Sequence, residues 1–207
     1  MKIRNGFVTN SSSSSFIVID ISSSPIKKFF KEHHIPSNFF NMLAEQIEEP
    51  YGCSPEMFKH EYHNLTETIL YCIDFACALE DEDCDFDDIK HFPEQFCDIG
   101  DVSAEKVELL YNFIHEHSDE INNDALLNAT IMATEIATDG GGEGSYYEVR
   151  ANNGKQTAAM LDLWDDVMSP LYDNDEDEEA DEMIESISCG EADLWEMAKG
   201  LNCIKEL

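Results

Sequence analysis

The charge of this chain is lopsided, and the imbalance limits what the chain can bury. Forty-five acidic residues face 12 basic ones, a formal net charge of −33 over 207 residues. Most carboxylates find no cation within the chain, so they belong in water, and the core has to come from separate apolar blocks. Those blocks suffice: 43% of the residues are hydrophobic, which places the chain among sequences that fold. The length suits one domain with room for a full core.

The charge is also unevenly spread. Residues 1–35 carry Lys2, Arg4, Lys27, Lys28 and Lys31 against Asp20 and Glu32, a balance of +3 that leaves −36 for the rest. Such a body repels nucleic acid and anionic membrane and favours basic protein surfaces as partners. The same charge also serves solubility. No apolar run, Phe16-Ile17-Val18-Ile19 among them, approaches the ~20 residues that span a bilayer. A serine run follows Lys2 and Arg4 where a secretory signal would be apolar, so the expected location is the cytoplasm. The seven cysteines (Cys53, Cys72, Cys77, Cys84, Cys97, Cys189 and Cys203) are odd in number and form no C-x-x-C pair. They support neither a disulfide framework nor a zinc ribbon, and Cys72 and Cys77 sit in an apolar segment as core residues do.

The string Arg4-Asn5-Gly6-Phe7-Val8-Thr9-Asn10, followed by five serines and Phe16, resembles the R-x-G-F-V-S-N-S-S-S-S-S-F opening of a group of uncharacterised phage and prophage proteins. Thr9 stands where serine is usual. The resemblance covers about the first 16 residues and implies the cytoplasm of a phage host as the setting. It implies no chemistry, and nothing beyond residue 20 inherits a role from it.

The fold expected is α+β: a helix-rich single domain around a small, mostly antiparallel sheet. Residues 1–20 form the Ser-rich leader and N-terminal strand, and 21–207 the acidic α+β domain. Residues 14–20 are rich in β-branched and aromatic side chains and read as a strand. Ser24-Pro25 starts a helix, Ser37 caps a second, and Ser54-Pro55 starts a third. Residues 65–79, LTETILYCIDFACAL, suit a buried helix, though periodicity does not exclude a strand. Ser103 caps a helix with Val107, Leu110, Tyr111 and Ile114 on one face. Residues 125–138 are ambiguous, but with Tyr146-Tyr147-Glu148-Val149-Arg150 as a strand they favour a hairpin around 130–150. Residues 156–168 suit an amphipathic helix with Met160, Leu161, Trp164 and Val167 inward, and a last helix near 191–199 ends at Gly200.

No motif announces catalysis. Asp81-x-Asp83-x-Asp85 opens like an EF-hand, yet Phe86 and Phe92 stand where Gly and Glu are required, and the stretch from Asp173 fails likewise at Glu178 and Ile184. His60 and His63 would share a helix face, but not at H-E-x-x-H spacing; His115 and His117 diverge on a helix. Around Gly140–Gly144 and Gly154-Lys155 no window fits a P-loop. There is no G-x-S-x-G. Catalytic residues, metal ligands and cofactor are therefore each expected to be none. Trp164, Trp195, Tyr146 and Tyr147 are expected in the core, with Trp195 also able to serve a contact patch.

Two dense acidic runs remain. Residues 80–88 hold seven carboxylates in nine positions, and 173–182 hold eight in ten. Carboxylates one helical turn apart lie ~6 Å apart along the axis, and duplex DNA carries one phosphate per ~3.4 Å on each strand. Acidic faces on a rigid body therefore imitate a phosphate track. The expected role is a phage-encoded interaction protein that inhibits a host nucleic-acid-binding or defence enzyme. The residues expected to meet the partner's basic surface are Asp81, Asp83, Asp85, Asp87, Asp88, Asp175, Glu176, Asp177, Glu178 and Glu179. Two other roles fit the same sequence: an accessory virion or assembly protein whose acidity serves solubility, and an enzyme of unrecognised class. Direct nucleic-acid binding and a membrane partner are not expected.

Overall fold

Two consecutive residues with positive φ, Asn153 at 48° and Gly154 at 80°, reverse the chain between two eight-residue strands. Positive φ at both central positions is the geometry whose twist matches paired strands, and Asn-Gly is the dipeptide that adopts it most readily. The strands are β3, Ser145–Asn152, and β4, Lys155–Asp162, paired from Asn152↔Lys155 to Ser145↔Asp162. The helix expected over 156–168 is thus mostly strand; only Leu163–Met168 is helical, as a π-type turn, running on into a short α-helix. Pairing along the whole of β3 outweighs the local 3–4 spacing of Met160, Leu161, Trp164 and Val167.

The structure, a computed structural model, describes residues 13–48, 62–78, 95–125, 129–137, 145–173 and 192–207, with Glu179, Glu182, Met183, Ser186 and Ile187 between the last two segments. Along 13–18 and 129–137 it describes the backbone only. The helix expected from Ser54-Pro55 and the glycines at 140–144 lie outside the described residues.

The fold is α+β, as expected. Strands β1 (Ser13–Asp20), β2 (Ala129–Ala137), β3, β4 and β5 (Ile204–Glu206) form one antiparallel sheet in chain order. The hairpin around 130–150 is β2 with β3, in register Thr134↔Tyr146 to Ala129↔Ala151. Between β1 and β2 the described residues form five helices: α1 (Ser24–His33), α2 (Phe39–Glu48), α3 (Leu65–Ala78), α4 (Ala104–Glu116) and α5 (Ser118–Asp124). After β4 come the π turn, α6 (Ser169–Asp173) and α7 (Leu194–Gly200). Gly200 is the last residue of α7, and Leu201, rather than Gly200, is its C-cap.

Strand alternation sorts the core into two clusters, one on each side of the sheet. Tyr147, Val149 and Ala151 of β3, with Ala158 of β4, face the α1–α5 layer and its apolar residues, among them Phe39, Leu43, Ile69, Ile73, Val107 and Leu110. Tyr146, Ala159 and Leu161 face the opposite way, onto Leu163, Val167, Met168, Ile187, Leu194 and Ala198. Ala158 and Ala159 are both fully buried, on opposite faces, where the small side chain lets both layers approach.

Helix α3 is buried almost all round: eleven of its residues, from Leu65 to Cys77, are shielded from solvent. That burial on every side explains why its sequence lacks a clear polar stripe. Its start is fixed by a reciprocal cap in which Asn64 Oδ1 accepts from the Glu67 N–H (3.1 Å) and Glu67 Oε2 accepts from the Asn64 N–H (2.9 Å). Three hydrogen bonds tie its start, and His63 just before it, to the sheet. Gln156 Oε1 accepts from the Leu65 N–H (2.7 Å), and the Tyr147 hydroxyl both donates to the His63 carbonyl (2.6 Å) and accepts from the His63 N–H (2.8 Å).

Candidate acidic interface

Helix α4 has a buried stripe and an acidic one. Val107, Leu110, Tyr111 and Ile114 are at most 1% exposed and anchor the helix on the core. The opposite side must face water, and it carries Glu105, Glu108, Leu109, Asn112 and Glu116, all exposed. Their spacing of 3, 4, 7 and 11 residues from Glu105 keeps them on one side of the cylinder. By helical rise, Glu105 and Glu108 are ~4.5 Å apart along the axis, and Glu108 and Glu116 ~12 Å. Exposed Asp101 precedes the helix, and exposed Asp119 and Glu120 follow it at the start of α5.

The ends of α4 suit this load. Asp98 Oδ1 accepts from the Ala104 N–H (2.6 Å), doing what the side chain of Ser103, the N-cap residue, does not. Glu105 lies in the first turn, where the helix dipole favours negative charge. Lys106, the one cation on α4 besides its histidine, reaches away to the His34 carbonyl (3.3 Å). Glu120 meets His117 Nδ1 at 3.5 Å, whereas Glu105, Glu108, Glu116 and Asp119 have no ion pair among the described residues. These carboxylates sit on a backbone anchored in the core, and among the described residues no Lys or Arg forms an ion pair with them.

Of the residues expected at a partner surface, Glu179 is helical and exposed, as is Glu182 nearby. Asp81, Asp83, Asp85, Asp87, Asp88, Asp175, Glu176, Asp177 and Glu178 lie outside the described residues. The α4 stripe escapes a reading by acid density, which favours compact runs. Its signal is nonetheless in the sequence: acids at positions complementary to the apolar set 107, 110, 111 and 114.

Tyr146 and Tyr147 are buried at 1% exposure, as expected for core residues. Trp164 is a correction: it is 36% exposed, on the outer side of the π turn beside Tyr172, because β4 ends two residues earlier and turns its indole outward. Trp195, half-buried on α7, lies under the Arg150 guanidinium at 3.9 Å from its ring centre. Arg150 Nε donates to Glu148 Oε1 (2.6 Å), and the Tyr146 hydroxyl donates to Glu148 Oε2. These three residues alternate along one face of β3. Glu148 is 4% exposed and has both oxygens engaged, so the buried charge is compensated and α7 is bound to the sheet. Burial, then the Glu148 charge, drives the Tyr146 phenol well above its ordinary range, so it acts as a donor.

A second buried carboxylate lies in the helical layer. Asp74 on α3 is 2% exposed; Oδ2 accepts from the Tyr111 hydroxyl (3.2 Å) and Oδ1 has no partner. Burial pushes its carboxyl up to about 7, against a weaker lowering by the Tyr111 bond.

The described histidines do not converge. His63 is buried against Tyr71, with Nδ1 3.9 Å from Glu67, while His60 lies outside the described residues. His115 is exposed on α4, and His117 follows that helix with its ring tilted against Phe113. Among the described residues no group of three or more His, Cys, Asp or Glu side chains is placed to hold a metal ion, and no helix is long and apolar enough to cross a membrane. Comparison with family models, with curated proteins and with solved structures gives no match to this chain.

Proposed function

We propose that this protein acts by presenting acidic surface to a basic protein, and that its partner is a host nucleic-acid-binding or defence enzyme whose groove it occupies during phage infection. The observation that carries the proposal is the α4 stripe. Glu105, Glu108 and Glu116 are exposed on a helix whose other side is fully buried, so their charges keep a fixed spacing. A row of carboxylates held on a packed helix, with no ion pair among the described residues, binds a cationic groove without first paying to order itself. With −33 in total, attraction begins beyond contact distance and is screened over ~8 Å at physiological salt. The compact runs at 80–88 and 173–182 add to the same field.

The test is capture from host lysate on the immobilised protein, eluted with rising salt or with duplex DNA. One nucleic-acid-binding enzyme, displaced by DNA and lost with Glu105→Gln/Glu108→Gln/Glu116→Gln, is the expected result. Capsid proteins alone, or retention unchanged in the triple variant and in a variant neutralised at 81–88, refute the proposal.

A further inference from the structure

The odd cysteine count and lack of C-x-x-C spacing hide a pair that the fold brings together. Cys77 in the last turn of α3 and Cys97 in the segment before α4 have their sulfurs 3.3 Å apart. Both are thiols. A disulfide has an S–S distance of ~2.05 Å, so closing the bond asks each sulfur to move ~0.6 Å, within reach of side-chain rotation. The surroundings are polar at the sulfurs themselves. The Cys97 N–H points at Cys77 Sγ (3.4 Å), and Gln46 Nε2 of α2 points at Cys97 Sγ (3.5 Å). The Gln46 donor favours thiolate character at Cys97, the sulfur open to solvent. The two cysteines differ in access: Cys77 is 5% exposed, and Cys97 is partly open to solvent.

We infer that Cys77 and Cys97 form a reversible dithiol–disulfide couple that reacts with low-molecular-weight disulfides of the glutathione type, with Cys97 as the attacking sulfur and Cys77 as the resolving one. The Cys97 thiolate attacks one sulfur of the small disulfide, forming a mixed disulfide and releasing one thiolate. The Cys77 sulfur then attacks Cys97, breaking the mixed disulfide and releasing the second. The two protons leave with the small thiols, so two protein thiols and one disulfide give one protein disulfide and two thiols. Contact with Cys97, then burial, pushes the Cys77 thiol far above its ordinary range, which fits the order of events, since the buried sulfur waits for its partner to be activated. In a reducing cytoplasm the couple rests as thiols and closes only on oxidation. It brackets residues 78–96, so oxidation fastens together the two ends of the segment that contains the acidic run at 80–88.

The experiment equilibrates the full chain over a series of reduced to oxidised glutathione ratios, traps it with a thiol-alkylating reagent and maps peptides by mass spectrometry. The Cys77–Cys97 linkage is expected to form at a lower proportion of oxidant than any linkage among the other five cysteines. The oxidised protein should melt roughly 5–10 °C higher, from closure of a loop of ~20 residues. Cys77→Ser should stop at a glutathione adduct on Cys97, and Cys97→Ser should leave Cys77 unmodified. Should Cys77→Ser fail to fold, Cys77→Ala serves the same purpose. A different cysteine pair closing first, or Cys77 taking the adduct when Cys97 is replaced, overturns the inference.

Discussion

Replacing Asp74 by asparagine should change how stability depends on pH. Asp74 has one oxygen on Tyr111 and the other without a partner in the core, and its carboxyl is raised from 3.8 to about 7. The groups facing it are Tyr111 and Cys72, pushed upward by burial and then by the Asp74 charge, and Cys77, pushed upward by its contact with Cys97 and by burial, so each is neutral at moderate pH; the Cys72 thiol lies at about 12. A carboxyl with a raised folded pKa contributes its full stability below the unfolded pKa. That contribution is lost as pH rises toward the folded pKa, because only the unfolded state releases the proton. Each unit is worth about 1.4 kcal/mol, so the ceiling is about 4 kcal/mol across the whole window. Between pH 5 and pH 8, clear of the isoelectric point of about 4.1, the wild type should lose about 2–3 kcal/mol through this group. The amide of the Asp74→Asn variant does not titrate, so the variant's stability relative to wild type should improve by that amount between the two pH values. Repulsion among surface carboxylates is common to both proteins and cancels in the difference. Urea denaturation followed by fluorescence of Trp164 and Trp195 measures it. A difference between variant and wild type that stays constant within about 0.5 kcal/mol from pH 5 to 8 would mean that Asp74 titrates like an exposed carboxylate, and would refute the reasoning.

Four further substitutions probe the sheet, a helix cap and two glycines. Glu148→Gln should cost about 1–3 kcal/mol in urea denaturation, because it strips the charge that Arg150 and Tyr146 share, and half-exposed Arg150 recovers part of its loss in water. Asn64→Ala should cost about 1 kcal/mol by removing half of the reciprocal cap on α3, read as a lowered melting temperature. Gly154→Ala should cost about 1–2 kcal/mol, since φ is +80° and a Cβ would stand 2.9 Å from Asn123 Oδ1; Gly200→Ala, with open space around it, should cost nothing or stabilise by about 0.5 kcal/mol in the same melts.

What the sequence discloses about this fold follows the range of each interaction. Helix α4 is legible because four apolar residues at helical spacing fix both its type and its buried side. The N-terminal strand is legible from Phe16-Ile17-Val18-Ile19, and the 130–150 hairpin from the β-rich Tyr146-Tyr147 segment. Strand β4 is not, because its alanines carry no strand preference and its apolar residues match a helical period by coincidence; its real marker is the Asn153-Gly154 turn before it. The α4 acids follow from the same periodicity as the core, read from the other side. Asp74 and the meeting of Cys77 with Cys97 could not be seen in advance. A buried acid on α3 looks like any polar residue in an apolar run, and 20 positions of chain separate the two sulfurs.

The acidic surface and the core are nearly independent parts of this molecule. Exposed ion pairs among the described residues, such as Lys28 with Glu32 and Lys199 with Glu196, are local to one helix and contribute little. The two buried carboxylates among the described residues, Glu148 and Asp74, are each dealt with inside the fold, one by Arg150 and Tyr146 and the other by keeping its proton toward neutral pH. The cohesion that opposes a charge of −33 therefore comes from the two apolar clusters on either side of the sheet. Nothing in the packing of α4 requires Glu105, Glu108 or Glu116 to be acidic, since a neutral polar residue would leave Val107, Leu110, Tyr111 and Ile114 where they are. Removing those charges relieves repulsion and leaves the fold intact, so a loss of binding in the triple glutamine variant reports on the partner's surface and not on unfolding.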